Sequence, residues 1–307
     1  MLKFNPDAAF SIGVQLEGDF LRLGIVNLDG EIKALKQMHV TPDLDMIITK
    51  ELNSYIDDIV RESHIDRSKI LGVGIGIPGV LDADEYRIEF APLIGISTET
   101  NCSALFSHFS KIAGLPVIIE NDVNAAAIGE YVTRKLSAQQ DLIYISLGTG
   151  LGAGIILNGR LRRGKRNLSG EIGYMVFDRN FETSKAKAGW MESQINLQAL
   201  ADRWGFNPSI GIESVSAEDM VLMTDHIAYN LALCIANFSM QIDVDLVVIG
   251  GITAEVLGTP LIKAVQKHTS KLCLAETEIQ FNGCQEPGVV GTASIITETR
   301  LGELLTD

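Results

Sequence analysis

The sequence lacks the features of an exported or membrane-bound protein. Its four cysteines form no Cys-x-x-Cys pair and lie far apart, at Cys102, Cys234, Cys273 and Cys284. Scattered thiols fit a reducing cytoplasm. No apolar run approaches the ~20 residues of a membrane helix, and the first six residues lack the charged start and apolar stretch of a signal peptide. The sequence therefore predicts a cytoplasmic protein with no membrane partner.

Positive charge and aromatic side chains are also scarce. Lys and Arg number 25 against 39 Asp and Glu, which gives a net charge of −14. A chain with this charge repels the phosphate backbone, so we expect no direct DNA binding by this chain alone. Aromatic residues make up 6%, but hydrophobic residues reach 46%, which excludes disorder. A length of 307 residues predicts two lobes, because it exceeds what one core usually supports.

One arrangement of strands and turns occurs twice along the chain. Each half has two strands and a tight turn, followed later by a buried strand that runs into glycines; the strands are at 12–19, 21–26 and 70–77, and at 142–147, 153–157 and 245–251. Apolar residues at helical spacing predict helices at 43–62, 124–135, 216–240 and 293–305. The repetition predicts a duplicated α/β domain. We expect an N-terminal lobe over 1–118, completed by a helix at 290–307, and a C-terminal lobe over 119–289.

Glycines cluster between two predicted strands of the second half. Backbone N–H groups at glycines can turn toward phosphate oxygens without obstruction from side chains. A hairpin that merely needs unusual dihedral angles gives the same pattern. A second glycine pair after a buried strand fits either a close approach to a nucleotide or a plain strand-to-helix turn. The candidate cofactor-binding residues are Gly148, Thr149, Gly150, Gly152, Gly250 and Gly251.

Carboxylates occur where predicted strands and loops end. Asn121 and Asp122 lie between a strand and a helix, where one of them can cap the helix. Alternatively, Asp122 can accept a proton from a hydroxyl nucleophile in phosphoryl transfer. Glu171 and Glu192 supply two further carboxylates. Ionised carboxylates that converge on a pocket suit vicinal sugar hydroxyls, because each accepts from two O–H groups.

Five sequence runs together resemble the ROK family (repressors, open reading frames, kinases). They occur in family order over nearly the whole chain, at residues 75–82, 120–127, 147–156, 169–173 and 248–251. The resemblance implies the duplicated actin-like, hexokinase-like (ribonuclease H-like) ATPase fold, with two lobes around a cleft. It also implies a catalytic base at Asp122, sugar contacts from Asn121, Glu171 and Glu192, and a phosphate loop at 148–152. Gly79 would shape the floor of the sugar site.

The first hairpin departs from the pattern of the family's kinases, Asp-x-Gly-Gly-Thr-Lys. The corresponding residues here are Gln15-Leu16-Glu17-Gly18-Asp19-Phe20. Gln15 replaces the magnesium-facing Asp, and two added carboxylates repel triphosphate by about 4 kcal/mol per close charge pair at an effective dielectric of about 20. One route for a kinase remains, in which Glu17 or Asp19 itself holds the metal.

The family's zinc site is also altered. Tyr174 stands at the usual His, and Trp190 takes the place of a Cys, so we expect no zinc and instead predict that Trp190 and Met191 fill the space by packing. Residues 2–13 resemble the junction that follows the DNA-binding domain of ROK repressors, but a helix-turn-helix does not fit before the first strand.

The leading interpretation is thus a homodimeric sugar-sensing protein of repressor type without its DNA-binding domain. It requires no cofactor and has weak or no kinase activity. The alternatives are an ATP-dependent and magnesium-dependent sugar kinase, and a scaffold that keeps only the fold and the dimer interface.

Overall fold

The computed structural model describes residues 3–182 and 188–306, so Leu2 of the predicted junction and the last residue of the predicted C-terminal segment lie outside the described residues. The chain divides into two compact units. The first comprises the described residues up to Leu136, Gly164–Leu168 and the described residues from Gly283 onward. The second comprises Ser137–Arg163 and Ser169–Asn282, without the undescribed stretch.

The first unit contains a five-stranded sheet in the order β3-β2-β1-β4-β8 and a small sheet in the order β5-β6-β7. In the large sheet β1, β2 and β3 are antiparallel, whereas β4 and β8 run parallel to β1. The strands are β1 (Phe10–Glu17), β2 (Phe20–Asn27), β3 (Ile32–His39), β4 (Ile70–Ile77), β5 (Val80–Asp82), β6 (Arg87–Phe90), β7 (Thr100–Asn101) and β8 (Val117–Asn121). Strands β1 and β4 are almost wholly buried, as expected for central strands of a covered sheet.

The described part of the first unit contains five α-helices. They are α1 (Leu44–Met46), α2 (Leu52–Ser63), α3 (Ser103–Ala113), α4 (Asp122–Thr133) and α9 (Pro287–Thr306), and a π-helical turn (Ile47–Glu51) joins α1 to α2. The predicted helix at 43–62 is therefore present with a π turn inside it. Its start is fixed by Asp43, whose carboxylate accepts the backbone N–H of Met46 at 3.1 Å, as an N-cap residue does.

Helix α9 packs directly against backbone, because glycines line its contacts. An added Cβ at Gly13 of β1 would lie 2.0 Å from the carbonyl oxygen of Val289, and one at Gly74 of β4 would lie 2.1 Å from that of Thr292. On the other side, a Cβ at Gly291 would lie 1.7 Å from the carbonyl oxygen of Ala125 in α4. Only glycine permits such close packing.

A fully buried carboxylate joins α4 to the segment that leads into α9. Glu130 accepts the backbone N–H groups of Gly283 and Cys284 at 2.8 and 2.7 Å. Its other oxygen accepts Nε of Arg134 at 2.7 Å. Because the charge has an ionic partner and its oxygens are hydrogen-bonded, its burial is tolerated. Glu130 thus fixes the point where the chain returns to the first unit.

The second unit repeats the sheet of the first. Its strand order is β11-β10-β9-β12-β13, with two antiparallel pairs followed by two parallel pairs. The strands are β9 (Leu142–Leu147), β10 (Leu151–Leu157), β11 (Arg160–Leu161), β12 (Leu246–Gly250) and β13 (Glu278–Phe281), and the helices are α5 (Glu192–Ile195), α6 (Leu197–Trp204), α7 (Ala217–Ile242) and α8 (Ile252–Leu272). The duplication predicted from the sequence therefore appears as two sheets with the same order and directions.

The division between the units lies later in the chain than the predicted boundary at 118/119. Strand β8 pairs with β4 in the first sheet, and α4 packs against α9, so both belong to the first unit. The predicted helix at 124–135 begins earlier, at Asp122. No helix in the described part of the chain is long and apolar enough to cross a bilayer.

Candidate functional site

In the first unit, Asn121 lies at the junction of β8 and α4. Its Oδ1 accepts the backbone N–H of Asn124 at 2.9 Å, and its Nδ2 donates to the carbonyl oxygen of Gly79 at 2.8 Å. Asn121 is therefore the helix cap, as one of the two sequence interpretations predicted. Its amide keeps a second N–H and a second lone pair for a ligand. The structure thus joins two predicted site residues, Gly79 and Asn121.

Asp122 begins α4 directly after this cap and is half-buried. A neighbouring buried carboxylate, Glu120, orders the same turn: it accepts the backbone N–H of Asn121 at 2.9 Å and Nδ2 of Asn124 at 3.2 Å. Glu120 and Asn124 are not among the site residues that the sequence predicts. The spacing Glu-Asn-Asp-x-Asn was their only signal, since polar residues at a strand-to-helix junction commonly bond to one another.

In the second unit, Glu192 lies against the glycine loop. The backbone N–H groups of Leu151 and Gly189 donate to its carboxylate, and an added Cβ at Gly150 would lie 3.0 Å from its Oε1. Burial raises the pKa of Glu192, and the two N–H donors oppose that rise. Burial also raises the pKa of Glu171, and the charge of Glu192 raises it further. The structure therefore places these two predicted sugar ligands close together.

The loop that carries Glu171 depends on a glycine. Gly170 has a φ of +92°, and an added Cβ would lie 1.8 Å from the carbonyl oxygen of Ala153. Its own carbonyl oxygen accepts the N–H groups of Ala153 and Ile172, both at 2.7 Å. Glu171 is thereby held next to β10, because the adjacent Gly170 accepts the hydrogen bond of Ala153. Tyr174 follows one turn later, and burial and then the charges of Glu192 and Glu171 raise the pKa of its phenol.

The glycine loop between β9 and β10 uses part of its backbone internally. The N–H of Gly148 donates to the carbonyl oxygen of Gly150 at 3.0 Å, and that of Leu151 donates to Glu192. Thr149 is exposed at the tip, whereas Gly152 lies within β10 and pairs with Ser146. Two N–H groups of this loop are therefore already engaged, which leaves fewer for phosphate oxygens than a free nest has.

The second glycine pair is explained by packing within its own unit. An added Cβ at Gly250 would lie 2.3 Å from Oη of Tyr144, and one at Gly251, whose φ is +89°, would lie 2.5 Å from the carbonyl oxygen of Leu147. These contacts favour the plain strand-to-helix turn among the two sequence interpretations. Nucleotide binding at this pair stays a prediction.

The first hairpin is held by groups of the first unit itself. The side-chain amide of Gln15 packs onto Gly288 at the start of α9, where an added Cβ would meet its Oε1. Glu17 forms an ion pair with Arg22, and Nε of Arg22 lies 3.5 Å from Glu286. The sequence does not indicate this ion pair, in which Arg22 offsets the charge of Glu17. A carboxylate already paired with arginine is poorly suited to hold magnesium, so Gln15 and Glu17 do not fit the metal of a nucleoside triphosphate.

Trp190 and Met191 pack into the core of the second unit. Met191 is fully buried, Trp190 is packed on the same core, and the Trp190 and Phe177 rings lie 5.6 Å apart between centroids, as the sequence predicted for Trp190 and Met191. An added Cβ at Gly189 would lie 2.2 Å from the carbonyl oxygen of Gly173, so these two segments touch backbone to backbone. Over residues 3–182 and 188–306 no three His, Cys, Asp or Glu side chains are grouped as metal ligands. Tyr174 and Trp190 offer neither a thiolate nor an imidazole, so these residues do not fit zinc, which needs such ligands.

The model of the ROK family matches residues 11–298. The chain belongs to the ROK family. A glucokinase from Halalkalibacterium halodurans is 26% identical over 94% of each chain. The xylose repressor of Bacillus subtilis is 32% identical over 59% of this chain and 46% of its own length, so this ROK chain spans about half the length of that repressor. The relatives of this ROK chain thus include both glucokinases and xylose repressors.

Solved structures of ROK proteins show the same fold. A glucokinase from Streptomyces griseus in complex with glucose and AMPPNP superimposes with a TM-score of 0.74, at 23% identity and covering 94% of this chain and all of the other. A ROK transcriptional regulator homologous to the Escherichia coli MLC protein superimposes with a TM-score of 0.78, at 21% identity, covering 98% of this chain and 81% of its own. The predicted actin-like, hexokinase-like fold is confirmed.

Proposed function

We propose that this ROK chain is a sugar-binding sensor of repressor type with weak or no kinase activity. The observation that best supports this proposal is a contrast between the residues of the first hairpin and the carboxylates proposed to bind sugar. In the hairpin that would face magnesium, Gln15 packs onto Gly288 and Glu17 is paired with Arg22. The hydroxyl-binding carboxylates Glu171 and Glu192 remain. A site that keeps sugar ligands without a suitable metal position supports recognition rather than phosphoryl transfer.

The Glu171–Glu192 pair suits a polyol. Two adjacent carboxylates offer acceptor oxygens to several O–H donors at once, and burial strengthens each hydrogen bond that they form. Asn121 and Asp122 are further proposed ligands, taken from the family resemblance. A regulatory readout requires only that the sugar bind one conformation of the protein better than another.

Replacing Glu192 by glutamine is expected to weaken sugar binding. A hydrogen bond to a charged acceptor contributes more than one to a neutral amide, so the affinity should fall roughly tenfold to a hundredfold. Isothermal titration against hexoses, pentoses and amino sugars measures this affinity. Glu276→Gln is the control, because the Glu276 carboxylate is exposed in the same unit. Failure of the wild-type protein to bind any of these sugars would contradict the proposal.

The alternative function is an ATP-dependent sugar kinase with Asp122 as the base. Its support is the match to a glucokinase over 94% of both chains and the position of Asp122 at the start of α4. Since Gln15 and Glu17 do not fit magnesium, this alternative would need Asp19 to hold the metal. In this alternative Gly148–Gly152 would contact phosphates.

A coupled ADP-release assay separates the two functions. We expect wild-type protein with sugar and ATP to release ADP no faster than Asp122→Asn, because a nucleotide-bound metal lacks its anchor. Asp84→Asn serves as the control, since Asp84 is exposed in the same unit. Sugar-dependent turnover that Asp122→Asn abolishes and Asp84→Asn retains would instead establish the kinase.

A further inference from the structure

A histidine of α7 contacts the short helix that carries Glu192. Nε2 of His226 lies 3.1 Å from the carbonyl oxygen of Gln194. Because a carbonyl oxygen only accepts, a hydrogen bond here places the proton on Nε2, from which Nδ2 of Asn230 also lies 3.4 Å away. Helix α5 is a single turn, from Glu192 to Ile195, so it has few hydrogen bonds of its own and depends on contacts from outside. The contact to Gln194 is one of these.

The ring of His226 is itself held in place. Nη1 of Arg203 lies 3.4 and 3.3 Å from the two ring nitrogens, a position over the ring face, since an in-plane atom at those distances would collide with Cε1. The Trp204 ring lies 5.2 Å away between centroids, and Nδ2 of Asn230 donates to the backbone carbonyl oxygen of His226 at 2.9 Å. These neighbours restrict the ring to one orientation.

The charges around the ring favour neutral imidazole. Burial lowers the pKa of His226, and the Arg203 guanidinium acts in the same direction. The hydrogen bond to Gln194 and the charge of Asp225 oppose this shift without cancelling it. At neutral pH His226 is therefore an uncharged donor toward α5.

The carboxylate of Glu192 depends on the placement of α5. It lies between Gly150 and Gly173, where an added Cβ would come within 3.0 Å of its Oε1 and 3.1 Å of its Cβ, respectively. It also receives the N–H groups of Leu151 and Gly189. A small displacement of α5 would break these hydrogen bonds. We propose that His226 is a positioning residue that, by donating to Gln194, holds α5 and orients Glu192 to receive a sugar hydroxyl. The inference rests on the proposed sugar-binding function.

Two substitutions separate the hydrogen bond from the bulk of the ring. His226→Gln can place an amide N–H near the position of Nε2, whereas His226→Leu fills similar space without a donor. His268→Gln is the control, because Nε2 of His268 pairs with Asp225 at 2.8 Å and does not contact α5. Sugar affinity is measured by titration calorimetry between pH 5 and pH 8, and unfolding by urea is measured for every variant.

We expect His226→Leu to lose about tenfold in affinity, as for one hydrogen bond, while His226→Gln and His268→Gln stay near wild type. The acid limb of the binding profile should also move to higher pH in His226→Leu. Binding needs ionised carboxylates and is lost as pH falls through their raised pKa values, and weakening of the Leu151 and Gly189 hydrogen bonds raises the pKa of Glu192 further. A merely structural role would leave that limb unmoved.

A measurement without sugar tests whether His226 holds α5 even if the protein binds no sugar. The amide of Asn196 donates to the carbonyl oxygen of Glu192 across α5, at 2.9 Å, and its hydrogen exchange should be about tenfold faster in His226→Leu and restored in His226→Gln. Equal exchange in all variants would overturn the inference, as would equal loss of affinity in the Leu and Gln variants. If the wild type binds no sugar, the proposed function fails, and the exchange rates still decide whether His226 holds α5.

Discussion

Gly291→Ala is expected to destabilise the first unit by about 3 kcal/mol or more, because the new methyl group would overlap backbone that cannot rotate away. An added Cβ lies 1.7 Å from the carbonyl oxygen of Ala125, so α9 must move off α4. Urea unfolding followed by far-UV circular dichroism measures the loss. Both tryptophans, Trp190 and Trp204, belong to the second unit, so tryptophan fluorescence reports that unit and should change less.

The matched control lies on the same helix. Gly302→Ala adds its methyl group where, among the described residues, no atom beyond its chain neighbours and its own helix backbone lies within 4 Å, so it should stabilise the protein by about 0.5–1 kcal/mol through helix propensity. If both substitutions had the same effect, the close contact between α4 and α9 would not contribute to stability.

Glu130→Gln should cost about 3 kcal/mol of unfolding free energy. The substitution keeps the shape of the side chain but removes the charge that pairs with Arg134 at 2.7 Å and that receives two backbone N–H groups. Breaking a buried ion pair on one side is strongly destabilising. The measurement is again urea unfolding.

Glu62→Gln provides the comparison, because its pair with Lys36 is largely exposed and should contribute less than about 1 kcal/mol. Equal losses at Glu62 and Glu130 would contradict the anchoring role of Glu130, as would a Glu130→Gln variant as stable as the wild type.

The strands and the duplication could be predicted from sequence because their signals are local. Strand β4 (Ile70–Ile77) and strand β9 (Leu142–Leu147) follow the predicted bounds, since short apolar runs between turn residues define buried strands. Element boundaries that depend on capping were less accurate. The helix predicted at residue 124 begins at Asp122, because Asn121 supplies the cap.

Several glycines could not be explained from sequence alone. Gly74 lies in the predicted strand at 70–77, and the structure shows that it makes room for Thr292 of α9. That partner is far away in sequence, so no local pattern indicates it. The same reasoning applies to Gly250, whose neighbour is Tyr144. A glycine required by close backbone packing can be seen in the sequence, but the residue that it contacts cannot be predicted from it.

The sequence predicts which residue types form the candidate site, but it does not predict most of the contacts between them. Glu171 and Glu192 were identified as carboxylates suited to hydroxyls, and the structure adds their proximity and the burial that raises their pKa values. The Arg22 ion pairs and the His226 contact each join residues from separate elements. Such pairs depend on tertiary placement, which sequence spacing does not encode.

The placement of α9 has a consequence for synthesis. Strands β1 and β4 are made early, yet the helix that covers them ends at Thr306. The second unit ends at Asn282, before α9 begins, so it can fold while the apolar sheet of the first unit is still uncovered. Nascent chains halted before Pro287 should therefore recruit chaperones through the exposed sheet of the first unit.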